Sequence, residues 1–124
     1  MATLLVVDDE RSIVKLVATV LGSEYSVITA ESAIEALTIF ESYPDRIDAI
    51  VTDISMPGMT GLELVARLEA THNRRFPVLF ITGATEYPID PCRAVLPKPF
   101  SPAGLKDAVR QVLQACGGPR EHPG

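Results

Sequence analysis

Short apolar runs and helical stripes take turns along this chain, and that alternation limits the available folds more than any other feature. Thr3–Val7 is an apolar run closed by Asp8-Asp9-Glu10, as expected of a buried strand. Ile13, Leu16, Val17, Val20 and Leu21 follow at the offsets of one helix face, with Gly22 as a C-cap. Tyr25–Thr29 reads as a second strand, and Ala33, Ala36, Leu37 and Phe40 as a second helical stripe stopped by Pro44. Asp48–Thr52 is a third strand, with Asp53 at its end and a turn-rich stretch from Ser55 to Gly61 behind it. Leu64, Val65 and Leu68 mark a third helix, and Pro77–Ile81 a fourth strand ending at Thr82-Gly83. Ala94-Val95-Leu96 reads as a short fifth strand. A last helix opens on a Ser101 cap with Pro102 at its first position, and its apolar face runs from Leu105 to Cys116.

The fourth crossover breaks the rhythm. Residues 84 to 92 carry Pro88 and Pro91 and no helical stripe, and proline costs about 3 kcal/mol inside a helix. Five strands alternating with helices imply a parallel sheet covered on both faces, with ligands at the carboxyl ends of its strands.

Composition narrows the function classes. At 124 residues the chain has the size of one domain, here read as 1–116 with a flexible tail at 117–124. A net charge of −5 argues against direct nucleic-acid binding. No apolar run approaches the ~18 residues of a membrane span, and no basic segment precedes the first strand, so a cytoplasmic location is expected. Cys92 and Cys116 fit neither a zinc motif nor a CxxC pair and read as two reduced thiols. His72, in the polar Thr71–Arg75 stretch, reads as a solvated loop residue, and Met56 and Met59 as loop packing.

The strand ends carry the chemistry. Asp8 and Asp9 follow the first strand, Asp53 the third, Thr82 the fourth, and Lys98 the fifth. In a parallel sheet these ends share one edge. Two carboxylates ~4 Å apart repel by roughly 4 kcal/mol at an effective dielectric near 20, so such a cluster calls for a cation. Hard oxygen ligands that leave room for water and phosphate suit Mg²⁺. Asp53 is then placed as a carboxylate nucleophile, with Thr82 donating to one phosphoryl oxygen and Lys98 pairing with another.

With these pieces the chain resembles the CheY-like receiver domains of two-component response regulators. The matching segments are Leu5-Val6-Val7-Asp8-Asp9-Glu10, Asp53–Gly61, Thr82-Gly83 and Lys98-Pro99-Phe100, and the resemblance runs from about Thr3 to Gln114. It implies a flavodoxin-like doubly wound α/β fold, a five-stranded parallel sheet in the order 2-1-3-4-5 with helices on both faces. It implies Asp53 as phosphoacceptor, with Asp8, Asp9, Asp53 and the Ser55 carbonyl holding Mg²⁺, Asp8 largely through water. Thr82 and Lys98 would contact the phosphoryl group, and the Lys98-Pro99 bond would be cis. The donor would be a histidine kinase or a phosphotransfer protein, the output an unidentified protein partner, and the chain a monomer or weak homodimer. Such a domain catalyses only its own phosphorylation and dephosphorylation and is not a conventional enzyme.

Two departures bear on output. The family places Tyr or Phe three residues before the lysine, where this chain has Val95. The Thr82-to-Lys98 segment is also short, so the helix between the fourth and fifth strands is expected to be short or missing. The expected consequence is that phosphorylation orders the 83–92 loop, which carries Tyr87, instead of rotating an aromatic. Starting at Met1 so close to the first strand favours a stand-alone or N-terminal receiver. The competing readings are a phosphatase of the haloacid dehalogenase type, a flavodoxin-type cofactor domain, and a phosphorylation-independent receiver-like binding module. The first lacks the Asp-x-Asp pattern after strand one. The second lacks a phosphate-cradling loop there. The complete set of acids, hydroxyl and lysine argues against the third.

Overall fold

Each strand is five residues long and each connection places the next strand parallel to the last. The computed structural model describes residues 1–83 and 90–116. The order is β1 (Thr3–Val7), α1 (Arg11–Leu21), β2 (Ser26–Ala30), α2 (Ala33–Ser42), β3 (Ala49–Asp53), α3 (Gly61–His72), β4 (Val78–Thr82), β5 (Arg93–Pro97) and α4 (Pro102–Ala115). The sheet runs β2-β1-β3-β4-β5, with Leu5 opposite Ile28 on one side and Ile50 on the other. This is the expected doubly wound α/β fold. Four helices are present among the described residues, and none of them lies between β4 and β5. The expectations for Tyr87 and Pro88, and for the tail at 117–124, lie outside the described residues.

Two apolar layers sandwich the sheet, because successive side chains of a strand point to opposite faces. Leu5, Val7, Ile50, Val78 and Phe80 face α2 and α3, where Phe40, Leu64 and Leu68 are fully buried. Leu4, Val6, Val51, Leu79 and Ile81 face α1 and α4 and meet Val17, Leu21, Leu105 and Val109. β3 and β4 are buried along their whole length, and β1 nearly so, whereas β2 and β5 are half-exposed edges. Tyr25–Thr29, Asp48–Thr52 and Pro77–Ile81 each start one residue before β2, β3 and β4, on edge and buried strands alike, because apolar character alone leaves a strand's end residues unmarked.

Local chemistry sets the helix starts. The Ser32 hydroxyl accepts from the Glu35 amide at 3.0 Å, and the Ser101 hydroxyl from the Gly104 amide at 3.0 Å. Thr60 and Glu63 form a reciprocal capping box. α3 ends at Asn73 in the left-handed region (φ 49°).

Three sequence expectations need correction. Leu16 is 47% exposed, and Val14 takes the inward position, since α1 is centred on Val14, Val17 and Leu21. His72 is not a solvated loop residue. It closes α3 with its ring 4.8 Å from the Phe40 ring and its Nε2 3.5 Å from a Glu41 carboxylate oxygen. Cys92 and Cys116 are not free thiols but a disulfide, with Cα atoms 4.3 Å apart. The cause is topological: β5 runs up from the lower edge of the sheet and α4 returns to that edge, so the start of one meets the end of the other. Met56, read as loop packing, belongs to the buried core cluster, and the half-buried Met59 packs against it.

Candidate functional site

The carboxyl ends of the strands bring the acids together. Asp8 directly follows β1 and Asp53 is the last residue of β3. Both side chains are almost fully withdrawn from solvent, while Asp9 is exposed. Carboxylate oxygens of Asp8, Asp9 and Asp53 all lie within 4.8 Å of one another. The Glu10 amide donates to Asp8 Oδ1 at 2.9 Å and holds that side chain over the strand end. The Thr52 hydroxyl donates to the Asp53 carbonyl at 2.8 Å. Thr52 was not singled out in the sequence, although a threonine in the wholly buried run Ala49–Asp53 is the signal that could have found it.

β5 delivers the counter-charge. Lys98 Nζ lies 3.5 Å from Asp53 Oδ2 and 4.0 Å from Asp8 Oδ2. The Lys98 amide donates to the Thr82 carbonyl at 2.9 Å, which continues the β4–β5 pairing to the site, and the Lys98-Pro99 bond is cis. Thr82 is buried at the end of β4, beside the strand that carries Asp53. Ser55 is exposed in the β3–α3 loop, two residues beyond Asp53.

That loop is shaped by two glycines. Gly58 has φ +83°, a conformation that side-chain-bearing residues rarely adopt. A Cβ at Gly61 would sit 2.2 Å from the Asp53 carbonyl oxygen, so only glycine lets α3 start against the end of β3. The Gly61 amide donates to the Ile54 carbonyl at 2.9 Å and pins the contact.

One ammonium does not balance three acids. Burial pushes the Asp8 carboxyl up to about 6, and the Glu10 amide opposes this. The Asp53 charge raises it further, Lys98 lowers it, and Asp9 raises it again. The cluster thus has an unmet demand for positive charge, and its donors are hard oxygens. It could hold a divalent cation of the magnesium type.

The position where the family places an aromatic is filled by Val95, half-buried and packed against the core layer that contains Phe80. Nearby, a polar cross-link went unread in the sequence. The Arg93 guanidinium pairs with Glu69 and donates to the Phe76 carbonyl at 2.8 Å, and Glu69 also accepts from the Phe76 amide at 2.8 Å.

Fold and strand-end acids define a doubly wound domain of the signalling type. Residues 4–110 match the family model of the response regulator receiver domain, and the chain belongs to that family, the signalling domains of two-component systems. It is 34% identical over 125 residues to a chemotaxis protein CheY homolog of Campylobacter jejuni, covering 93% of this chain and 95% of that protein. It is 35% identical over 120 residues to the sensor kinase CckA of Brucella abortus, covering 91% of this chain but 13% of the kinase. It likewise spans 26% of the transcriptional regulatory protein GlrR of Escherichia coli. Among solved structures it is similar to chemotaxis protein CheY4 of Vibrio cholerae (TM-score 0.81, 34% identity, 91% of this chain and 99% of that one). It is also similar to the receiver domain of the hybrid histidine kinase CckA (TM-score 0.78, 32% identity, 91% and 100%).

Proposed function

We propose that this domain is a phosphorylation-controlled switch that accepts a phosphoryl group on Asp53. The donor is a histidine kinase or a histidine phosphotransfer protein, working in the cytoplasm, and the output is a protein surface. An Asp53 carboxylate oxygen attacks phosphorus, the donor's P–N bond breaks with its electron pair staying on the imidazole nitrogen, which takes up a proton, and an acyl phosphate forms. Asp8, Asp9, Asp53 and the Ser55 carbonyl are the residues that would hold Mg²⁺. When bound, that ion neutralises the charge developing on the phosphoryl oxygens. Lys98 pairs with one phosphoryl oxygen and Thr82 donates to another. The domain acts as a monomer or a weak homodimer and turns over no external substrate. The observation that carries this reading is the Asp53 carboxylate, held 3.5 Å from Lys98 Nζ within a cluster of acids at the carboxyl edge.

Intact-protein mass after incubation with acetyl phosphate tests it. One phosphoryl adduct is expected on the wild type with Mg²⁺, and none with EDTA or on Asp53→Ala. A folded wild type that takes no adduct from acetyl phosphate or from candidate kinases overturns the reading, leaving a phosphorylation-independent binding module.

A further inference from the structure

The Cys92–Cys116 disulfide joins the start of β5 to the end of α4, across a sequence separation of 24 residues. Lys98 lies inside the loop it closes. The bond sits where the sheet has least other support: β5 is half-exposed along four of its five residues and forms an edge. Its other anchors are the ladder to β4, the packing of Ala94 and Leu96 toward α4 and of Val95 on the opposite face, and Arg93 bound to Glu69 and to the Phe76 carbonyl. Both cysteines are half-buried, and Pro91, Gln114 and Ala115 beside them are exposed, so the bond lies at the surface rather than in the core.

We propose that this bond is a reversible redox switch that clamps the Lys98-bearing β5–α4 unit when oxidised and releases its lower end when reduced. A thiolate of a thiol reductant attacks one cysteine sulfur and displaces the other as a thiolate, which takes up a proton. A second reductant thiol then resolves the mixed disulfide, so the protein gains two electrons and two protons and the reductant becomes a disulfide. That the bond cycles, and is not a permanent staple, rests on the cytoplasmic setting proposed above, where disulfides are mostly transient and redox-sensing.

The test uses the full chain, equilibrated in glutathione buffers from strongly oxidising to strongly reducing. Alkylation and intact mass read the bond, and amide hydrogen exchange reads the clamp. The expected result is a bond formed at the oxidising end and opened at the reducing end. Exchange at 93–97 and 111–116 is then about ten-fold faster or more in the reduced form, with β1 and β3 unchanged. The Cys92→Ser/Cys116→Ser variant is expected to match reduced wild type at any poise. A bond that never forms, or one that survives the most reducing buffer, overturns the switch. So does identical exchange in the two forms of the wild type. These readouts do not involve phosphorylation, so a failure of Asp53 to accept a phosphoryl group is a separate result.

Discussion

The two flanks of the sheet solve the same problem with different chemistry. On the β2 flank, α1 and α2 supply apolar cover, and Phe40 of α2 reaches toward the sheet centre to meet Phe76, just before β4, with ring centroids 4.9 Å apart. On the β5 flank, α4 covers one side. On the other, the described residues leave a cavity of about 230 Å³ lined by Leu62, Val65, Phe80 and Arg93 among others. There the strand is held by cross-links: a disulfide, the Arg93–Glu69 pair, and Arg75 on Asp90 at 2.7 Å. Apolar packing is non-directional and survives small shifts. A covalent bond or a half-buried ion pair fixes one geometry and is lost as a unit. The flank that presents Lys98 is thus the one most open to chemical control.

Breaking the apolar flank is expected to cost most. Phe40→Ala removes a fully buried ring and is expected to lower unfolding free energy by about 3–5 kcal/mol, read by urea denaturation. Opening the disulfide comes next. For a loop of this length the chain-entropy relation gives about 3.5 kcal/mol, read as the difference between oxidised and reduced protein in the same titration. Arg93→Leu leaves Glu69 without its ion-pair partner where its side chain is 18% exposed. The expected cost is about 2 kcal/mol, and a loss as large as that of Phe40→Ala would mean the two flanks are not so different.

The smallest effect belongs to the site and has the opposite sign. The Asp8 carboxyl titrates near 6 in the folded chain against an ordinary value of 3.8. The folded state therefore keeps a proton that the unfolded state loses, and stability falls as pH rises from about 4 through about 6. In EDTA, Asp8→Asn is expected to be more stable than wild type above pH 6 by on the order of 1–2 kcal/mol, with the gap closing toward pH 4. Thermal melts across that range check it. A gap independent of pH would assign the gain to packing instead.

Most of the architecture was legible because its signals are local. A strand or a helix announces itself within a few residues by period, and Ser32, Thr60 and Ser101 cap the residues that follow them. The acids, Thr82 and Lys98 were legible as strand-end residues for the same reason. A boundary error of one residue at β2, β3 or β4 leaves them at the same edge of the sheet.

What the sequence alone determined was this succession of elements and the residue types at their ends, since each is written in contiguous stretches. Tertiary structure decided which distant residues meet. Nothing local says that Cys92 faces Cys116, that Arg93 finds Glu69 across 24 positions, or that His72 lies against Phe40. It also decided that Val14, not Leu16, turns inward, because the tilt of α1 on the sheet selects among the apolar residues of one stripe. The charge state of Asp8 belongs to the same class. Its shift comes from burial and from Asp53, 45 residues away in the chain, and both exist only once β1 and β3 lie side by side.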